Sequence, residues 1–234
     1  MGGSHGRKTH LQRFERGIPI GELRVSPASN NQTGTSVTFK PDATIFTTVT
    51  EFDYDTLAGR MRELAYLNGG VDITFTDNRL ELLKASEPRV SHYLYEGGIK
   101  EYVQYINNEK QALHEEIVYV QGERDGVQVE VALQWCIDAY SDTLLGFANN
   151  IRTVDGGTHL EGLKTVLTRT LNNFAKKRNK RKDNDSNLSG ENIREGLTAV
   201  ISVKDQSKKY EGQTKAKLGN TGVRGVVDAL VGEN

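Results

Sequence analysis

An α+β fold is predicted for this chain on three observations. Two blocks, Val127 to Trp135 and Thr198 to Val203, are dense in β-branched and apolar residues over strand length. From Thr158 to Arg178, Leu160, Leu163, Leu167, Leu171 and Phe174 recur at helical spacing and keep one face apolar. Near residue 50 the chain changes from short extended pieces to a mixture of helices and strands. That change divides it into 1–50 and 51–234.

Taken in order, Lys8 to Glu15 reads as a polar strand ended by Gly17-Ile18-Pro19, with a second extended piece from Glu22 to Ser26. Thr35 to Phe39 alternates and reads as a strand stopped by Pro41. Leu57, Met61 and Leu64 place a helix over Tyr54 to Leu67, which Asn68-Gly69-Gly70 terminates. Val71, Ile73 and Phe75 alternate as a strand, and Leu80, Leu82 and Leu83 suggest its returning partner. Ile99, Tyr102, Val103 and Ile106 form the stripe of a further helix. Asp125-Gly126 between two apolar runs is a hairpin signal, and Leu144 to Asn149 reads as another strand. At the start of the long helix Thr158 and Glu161 have the spacing of a capping box. Lys180 to Gly190 reads as a polar linker. A short helix near Glu191 to Glu195, the strand Thr198 to Val203 and a helix over Val223 to Val231 complete the order.

Composition narrows the function classes. The 30 basic and 31 acidic side chains nearly cancel, so any contact with nucleic acid depends on local clustering. The single cysteine, Cys136, excludes an internal disulfide and a multi-cysteine zinc site, and it fits a reducing cytoplasm. No apolar run approaches the ~20 residues of a membrane-spanning helix. The histidines lack metal-ligand spacing, and no metal site is expected. Trp135 and Cys136 read as core residues. The one dense basic run is Lys176, Lys177, Arg178, Lys180, Arg181 and Lys182, either a solvated helix end or a phosphate contact. Lys164 and Arg169 lie opposite the apolar stripe of the same helix and are candidate DNA contacts.

Two further segments stand out. Asp155-Gly156-Gly157-Thr158-His159 turns a strand into a helix, and its glycines permit backbone angles closed to other residues. Gly212-Gln213-Thr214-Lys215 places an amide and an ammonium group on a glycine-started loop, groups suited to phosphate oxygens. Lys217 reads as a solvated charge. In this order, together with Gln12-Arg13-Phe14-Glu15-Arg16-Gly17, Thr33-Gly34-Thr35, Tyr95-Glu96-Gly97-Gly98-Ile99, Val129 to Trp135 and Arg194-Glu195-Gly196-Leu197, they resemble the B subunits of DNA gyrase, type IIA DNA topoisomerases of the GHKL ATPase family. The resemblance runs from about Lys8 to Glu233.

The resemblance implies that 51–234 is a transducer domain with a left-handed β-α-β crossover, its last helix truncated. Residues 1–50 would be a leader plus the last strands of the ATPase sheet. It implies that Gln213 and Lys215 reach the γ-phosphate of ATP, that Thr35 lies beside the adenine pocket and that Val37 lines it. Lys164, Arg169, Lys176 and Lys177 are the candidate DNA contacts. ATP and Mg2+ would serve the parent protein, an ATP-hydrolysing topoisomerase whose partners are the A subunit, double-stranded DNA and a second B subunit. The family's general-base Glu and magnesium-binding Asn motifs have no match here, so this stretch is expected to bind no nucleotide tightly and to turn over no ATP. The ATPase arms that hold the family's main dimer contacts have no match either, so it is expected to be monomeric. Met1 to Gly6 is similar to the start of the family's ATP lid, but Ser4 departs from it, and the segment reads as a leader or junction. Arg16-Gly17-Ile18-Pro19 is similar to a nucleotide loop of the family but lacks its Asp and is not read as one. A topoisomerase IV B subunit, or a non-enzymatic module that mimics or regulates gyrase, are the alternatives.

Overall fold

The computed structural model describes residues 2–5, 8–28, 33–48, 51–178, 186–206 and 210–234. These form two units, Met1–Asp53 and Tyr54–Asn234. Lys180, Arg181 and Lys182 of the basic run, and most of the predicted linker, lie outside the described residues.

The first unit is a four-stranded sheet in the order β3-β2-β1-β4, made of β1 (Gly2–His5), β2 (Lys8–Glu15), β3 (Ile18–Pro27) and β4 (Gly34–Ser36). Gly2–His5, which the sequence suggested to be a leader, pairs antiparallel with β2 on one edge and β4 on the other. Arg16 and Gly17, both at positive φ (49° and 82°), close the β2–β3 hairpin in the manner of a type I′ turn. The strand expected over Thr35 to Phe39 is only Gly34–Ser36 long. Beyond Ser36 the chain leaves the sheet, and Asp42 organises a turn by accepting hydrogen bonds from the amide and hydroxyl of Thr44. Large apolar side chains of this unit stay exposed, among them Phe14, Ile20, Val37 and Phe39.

The second unit is built on a five-stranded sheet in the order β10-β9-β11-β8-β7. Its strands are β7 (Val118–Arg124), β8 (Val127–Trp135), β9 (Thr143–Ala148), β10 (Ile151–Arg152) and β11 (Leu197–Asp205). β9 and β11 are parallel, so the chain between them makes a β-α-β unit through α4 (Thr158–Lys177) and α5 (Gly190–Arg194). Period-two alternation divides the sheet. Val129, Val131, Leu133, Leu197, Ala199, Ile201 and Val203 face α4 and α6 (Thr221–Glu233), where Leu163, Val166, Val223 and Val227 fill the main core. Ala132, Phe147 and Val200 face the other way, onto Leu67 of α1 (Tyr54–Leu67) and Ile99 and Val103 of α3 (Ile99–Ile106). On that face Thr198 donates to Asn107, and Asn107 donates to Gln134, so the polar groups there are satisfied. The other side of α1 packs on a hairpin of β5 (Ile73–Asp77) and β6 (Arg89–Tyr93) through Tyr54, Ala58, Tyr93 and Phe75.

Three expectations about elements are corrected. Leu80, Leu82 and Leu83 are not the returning strand: Leu80–Leu83 is the short helix α2, and β6 returns instead. The buried Asp77 carboxylate accepts from the Arg79 guanidinium (2.8 and 2.6 Å) and from its amide (3.0 Å), which turns the chain out of the strand direction. Those hydrogen bonds hold the Asp77 carboxyl down at about 2. The apolar stripe of α4 stops short of Phe174, which is 55% exposed, while His159, Gly162 and Val166 are buried with Leu160, Leu163 and Leu167. The capping box at Thr158 is absent. Gly157 is the N-cap residue, its carbonyl accepts from Glu161 N, and the buried Thr158 hydroxyl has no partner.

Candidate functional site at the Gly212–Lys215 loop

Residues 210–218, ahead of α6, form a closed loop with an exposed tip. Tyr210 and Leu218 form an antiparallel bridge at its base, and Glu211 N donates to Lys217 O at 2.9 Å. Lys217, read from the sequence as a solvated charge, stays partly exposed, donates to Glu211 at 3.0 Å and clamps the two legs together. The hydrogen bond to Glu211, with its negative charge, raises the Lys217 pKa. At the tip Gly212 has φ 91° and Lys215 φ 57°. Lys215 N makes a long hydrogen bond to Gly212 O, 3.4 Å. Gln213 and Lys215 are both exposed, and the Lys215 ammonium makes no ion pair with a described residue. An L residue in the left-handed region costs about 1 kcal/mol, so on backbone grounds alone glycine would suit position 215 better.

The base of the loop is docked on the start of α4. Asp155 N donates to Ala216 O (3.0 Å), Leu218 N to Gly156 O (3.2 Å) and Thr158 N to Leu218 O (3.1 Å). Gly157 and Leu218 pair as a parallel bridge. Gly157 makes this approach possible. Its φ is 135°, and a Cβ there would lie 2.4 Å from Leu218 O. The Tyr210 hydroxyl donates to Ala148 O of β9 at 2.9 Å, a third anchor. The two segments singled out in the sequence are therefore hydrogen-bonded neighbours, and the loop, the first turn of α4 and β9 form one connected body. The bracing roles of Tyr210, Glu211 and Lys217 escaped sequence reasoning. Charges of opposite sign flanking a glycine loop were the one signal that pointed to them.

Behind the Asp155–Thr158 turn, His159 is fully buried. The Thr153 hydroxyl donates to Gly146 O (3.0 Å), so it accepts from His159 Nε2–H (2.9 Å). Nδ1 has no partner. Burial pushes the imidazole pKa down to about 4, and the ring is neutral at pH 7. It is a packing and positioning group. His114 is likewise structural: its Nε2 accepts from Trp135 N (3.1 Å), which leaves Nδ1–H to donate to Glu116 O (2.6 Å).

The other candidates are placed as follows. Thr35 and Val37 belong to the first unit. Thr35 is an exposed residue of β4, and Val37 lines a broad cavity of ≈ 1330 Å³ with Leu11, Phe14, Ile20, Phe39 and Phe46. Thr35 is not among the residues lining that cavity. On α4, Arg169 is engaged by both oxygens of Asp228 of α6 (3.0 and 2.8 Å), which neutralises much of its charge toward an outside partner. Lys164 lines a groove of ≈ 550 Å³ that also takes in Asn173 and Arg194. Lys176 and Lys177 sit in the last turn of α4, where they complement the helix dipole. Cys136 is buried, and burial raises its thiol pKa. Among the described residues no three His, Cys, Asp or Glu side chains are placed to hold a metal, and no helix is long and apolar enough to cross a membrane.

Comparison with known proteins agrees with this architecture. The family model for DNA gyrase B matches residues 98–234. The DNA gyrase B subunit of Synechocystis sp. is 66% identical over 97% of this chain, which spans 20% of that relative's length. The DNA gyrase B subunit of Bacillus mycoides is 49% identical over 97% of the chain, which spans 54% of it. Among solved structures, the 43K ATPase domain of Thermus thermophilus gyrase B, in complex with an aminocoumarin, superposes with TM-score 0.80 at 33% identity, over 99% of this chain and 60% of that one. The chain thus spans between a fifth and about half of these two curated relatives. With the family model covering more than half of the residues, the chain belongs to the DNA gyrase B family.

Proposed function

We propose that this chain is the part of a gyrase B subunit that senses the γ-phosphate of ATP and relays the nucleotide state toward the DNA gate during negative supercoiling. In this reading 51–234 is the transducer domain, and 1–50 contributes strands to the ATPase sheet. The observation that carries it is Lys215: an exposed ammonium, unpaired among the described residues, at the tip of a braced loop and held at φ 57° where the backbone alone favours glycine. Arg16 and Lys84 also adopt positive φ, in a hairpin turn and at a helix C-cap. Lys215 joins that backbone conformation to an ammonium that pairs with no described residue at the tip of a braced loop, and this combination supports a task for the side chain.

The chemistry follows from the groups present. The Lys215 ammonium would stabilise charge that develops on the β–γ bridge and γ-phosphate oxygens, and the Gln213 amide would orient them. An amide and an ammonium suit phosphate rather than Mg2+, so the metal that accompanies ATP would be held by other residues. A pull on Lys215 would pass through Ala216 and Leu218 into Asp155, Gly156 and Thr158, and hence to α4, because those backbones are hydrogen-bonded. The A subunit, double-stranded DNA and a second B subunit are the partners this reading implies, in the cytoplasm. Lys164 is the cation on α4 best placed for a phosphate backbone, since Arg169 is occupied by Asp228.

Lys215→Gly separates task from fold. In a gyrase B subunit carrying this sequence, ATP turnover is expected to fall at least about tenfold, as loss of a charge-assisted contact requires. The urea midpoint of the 234-residue chain is expected to rise, by up to about 1 kcal/mol of stability, as the left-handed strain is relieved. Turnover unchanged in both Lys215→Gly and Lys215→Ala would overturn the assignment.

A further inference from the structure

On the sheet face opposite α4, the open end of α1 meets α3 and β10 in a cleft of ≈ 400 Å³ lined by Arg60, Arg62, Glu63, Tyr102, Tyr105 and Arg152. Three guanidinium groups and one carboxylate thus line the same cleft. That carboxylate is already committed. Glu63 receives the Arg60 guanidinium, is a hydrogen-bond partner of the Tyr102 hydroxyl, and keeps only 13% of its side chain exposed. Arg62 and Arg152 have no ion pair among the described residues. The cleft carries a surplus of two positive charges, and no second carboxylate lines it.

The arginines are also pre-organised. Arg62 donates to the Tyr105 hydroxyl at 2.7 Å and lies over the rings of Tyr105 (5.2 Å) and Tyr93 (5.5 Å). Tyr102 stacks on Tyr66 (4.7 Å, 4°), which stacks on Tyr95 (3.7 Å, 17°), so the wall behind the cations is a rigid aromatic tier. Stacking fixes the Arg62 plane and lowers the entropy lost when its fork takes two oxygens at once. A stacked arginine and a second guanidinium in one cleft, neither paired with a described carboxylate, suit a phosphate group taken through paired N–H···O bonds.

We propose that the Arg62–Arg152 cleft is a phosphate-binding site, separate from the loop at Lys215 and from the cations of α4. The shared chemistry is a phosphate with at least two free oxygens, which a free polyphosphate or a nucleic-acid backbone can each supply. The test uses the 234-residue chain with Lys215→Ala as background, so that the loop does not contribute. The arginine Nε–Hε resonances are followed during titration with sodium tripolyphosphate and, separately, with a short DNA duplex. Shifts of the Arg62 and Arg152 signals with tripolyphosphate identify a free-polyphosphate site, and shifts with the duplex alone identify a backbone site. In either case Arg152→Gln, an exposed change that disturbs no packing, is expected to weaken binding at least about tenfold. Arg62→Lys, which keeps the charge and loses the fork, is expected to weaken it as well, whereas Lys164→Gln on the opposite face leaves these shifts unchanged. Arginine signals unmoved by both probes, or an affinity that Arg152→Gln leaves intact, would overturn the proposal.

Discussion

Replacing Gly157 with alanine is expected to cost the second unit about 4 kcal/mol of stability. Two effects add. The residue adopts φ 135°, a region in which an L side chain is strained by about 1–3 kcal/mol. A Cβ there would also run into the backbone of Leu218, 2.4 Å from its O, 2.6 Å from its N and 2.9 Å from its Cα. Backbone cannot rotate aside as the end of a side chain can, so relief requires the loop base to separate from α4, at a further cost of about 1–3 kcal/mol. Trp135, the one tryptophan of the chain, lies in β8 and reports the unfolding of this unit by fluorescence. The urea midpoint is the measurement, and tryptic cleavage after Lys215 and Lys217 should accelerate in step as the loop is released. A loss below about 1 kcal/mol would mean that the bridge between Gly157 and Leu218 is not formed as described.

Acid is expected to destabilise the same unit through His159. Its folded pKa is about 4, against about 6.5 in an unfolded chain. Above pH 6.5 the ring is neutral in both states and the full stability is present. As pH falls below 6.5 the unfolded chain takes up a proton that the folded chain refuses, and stability declines until the folded ring also protonates near pH 4. The loss over that window is about 3 kcal/mol. The physical cause is burial: the ring lies at 0% exposure with Nδ1 facing no acceptor, so an added proton there has nothing to bind. Asp77, held at about 2, acts below its unfolded value of 3.8, so the two contributions fall in separate pH ranges. Urea titrations between pH 4 and 7 measure the slope. His159→Gln should flatten it while lowering stability at pH 7. A slope unchanged by that substitution would assign the acid sensitivity elsewhere.

Much of the fold was legible where long segments carry one strong period. The helix Tyr54–Leu67 lies where periodicity placed it, the strand Lys8–Glu15 lies where the Gly17-Ile18-Pro19 break bounded it, and the Asp125-Gly126 hairpin joins β7 to β8 as its turn residues require. Short segments were less legible. Four residues, Leu80 to Leu83, cannot show whether their period is two or nearly four, and it was the hydrogen bonds of Asp77 to Arg79 that curled them into a helix. The Thr158 capping box had the right letters at the right spacing. It lost to a tertiary contact, because Leu218 O takes the Thr158 amide and Gly157 becomes the cap. Phe174 continues the helical stripe in sequence but stays 55% exposed, while Asn172 of the same turn is buried and hydrogen-bonded to Leu188.

Residue chemistry along the chain determined the elements with a clear period, the strand character of β8 and β11, and the presence of an amide and an ammonium on one glycine-started loop. Those properties are local, set by neighbours a few positions away. Only the tertiary structure decided that this loop is closed by Glu211 and Lys217, seated on the first turn of α4 and tied to β9, and that Arg62 and Arg152 share a cleft with no free carboxylate. The reason is physical. Those arrangements depend on hydrogen bonds and charges between segments far apart in the chain, whose energies arise only once packing brings them within a few ångströms and excludes water.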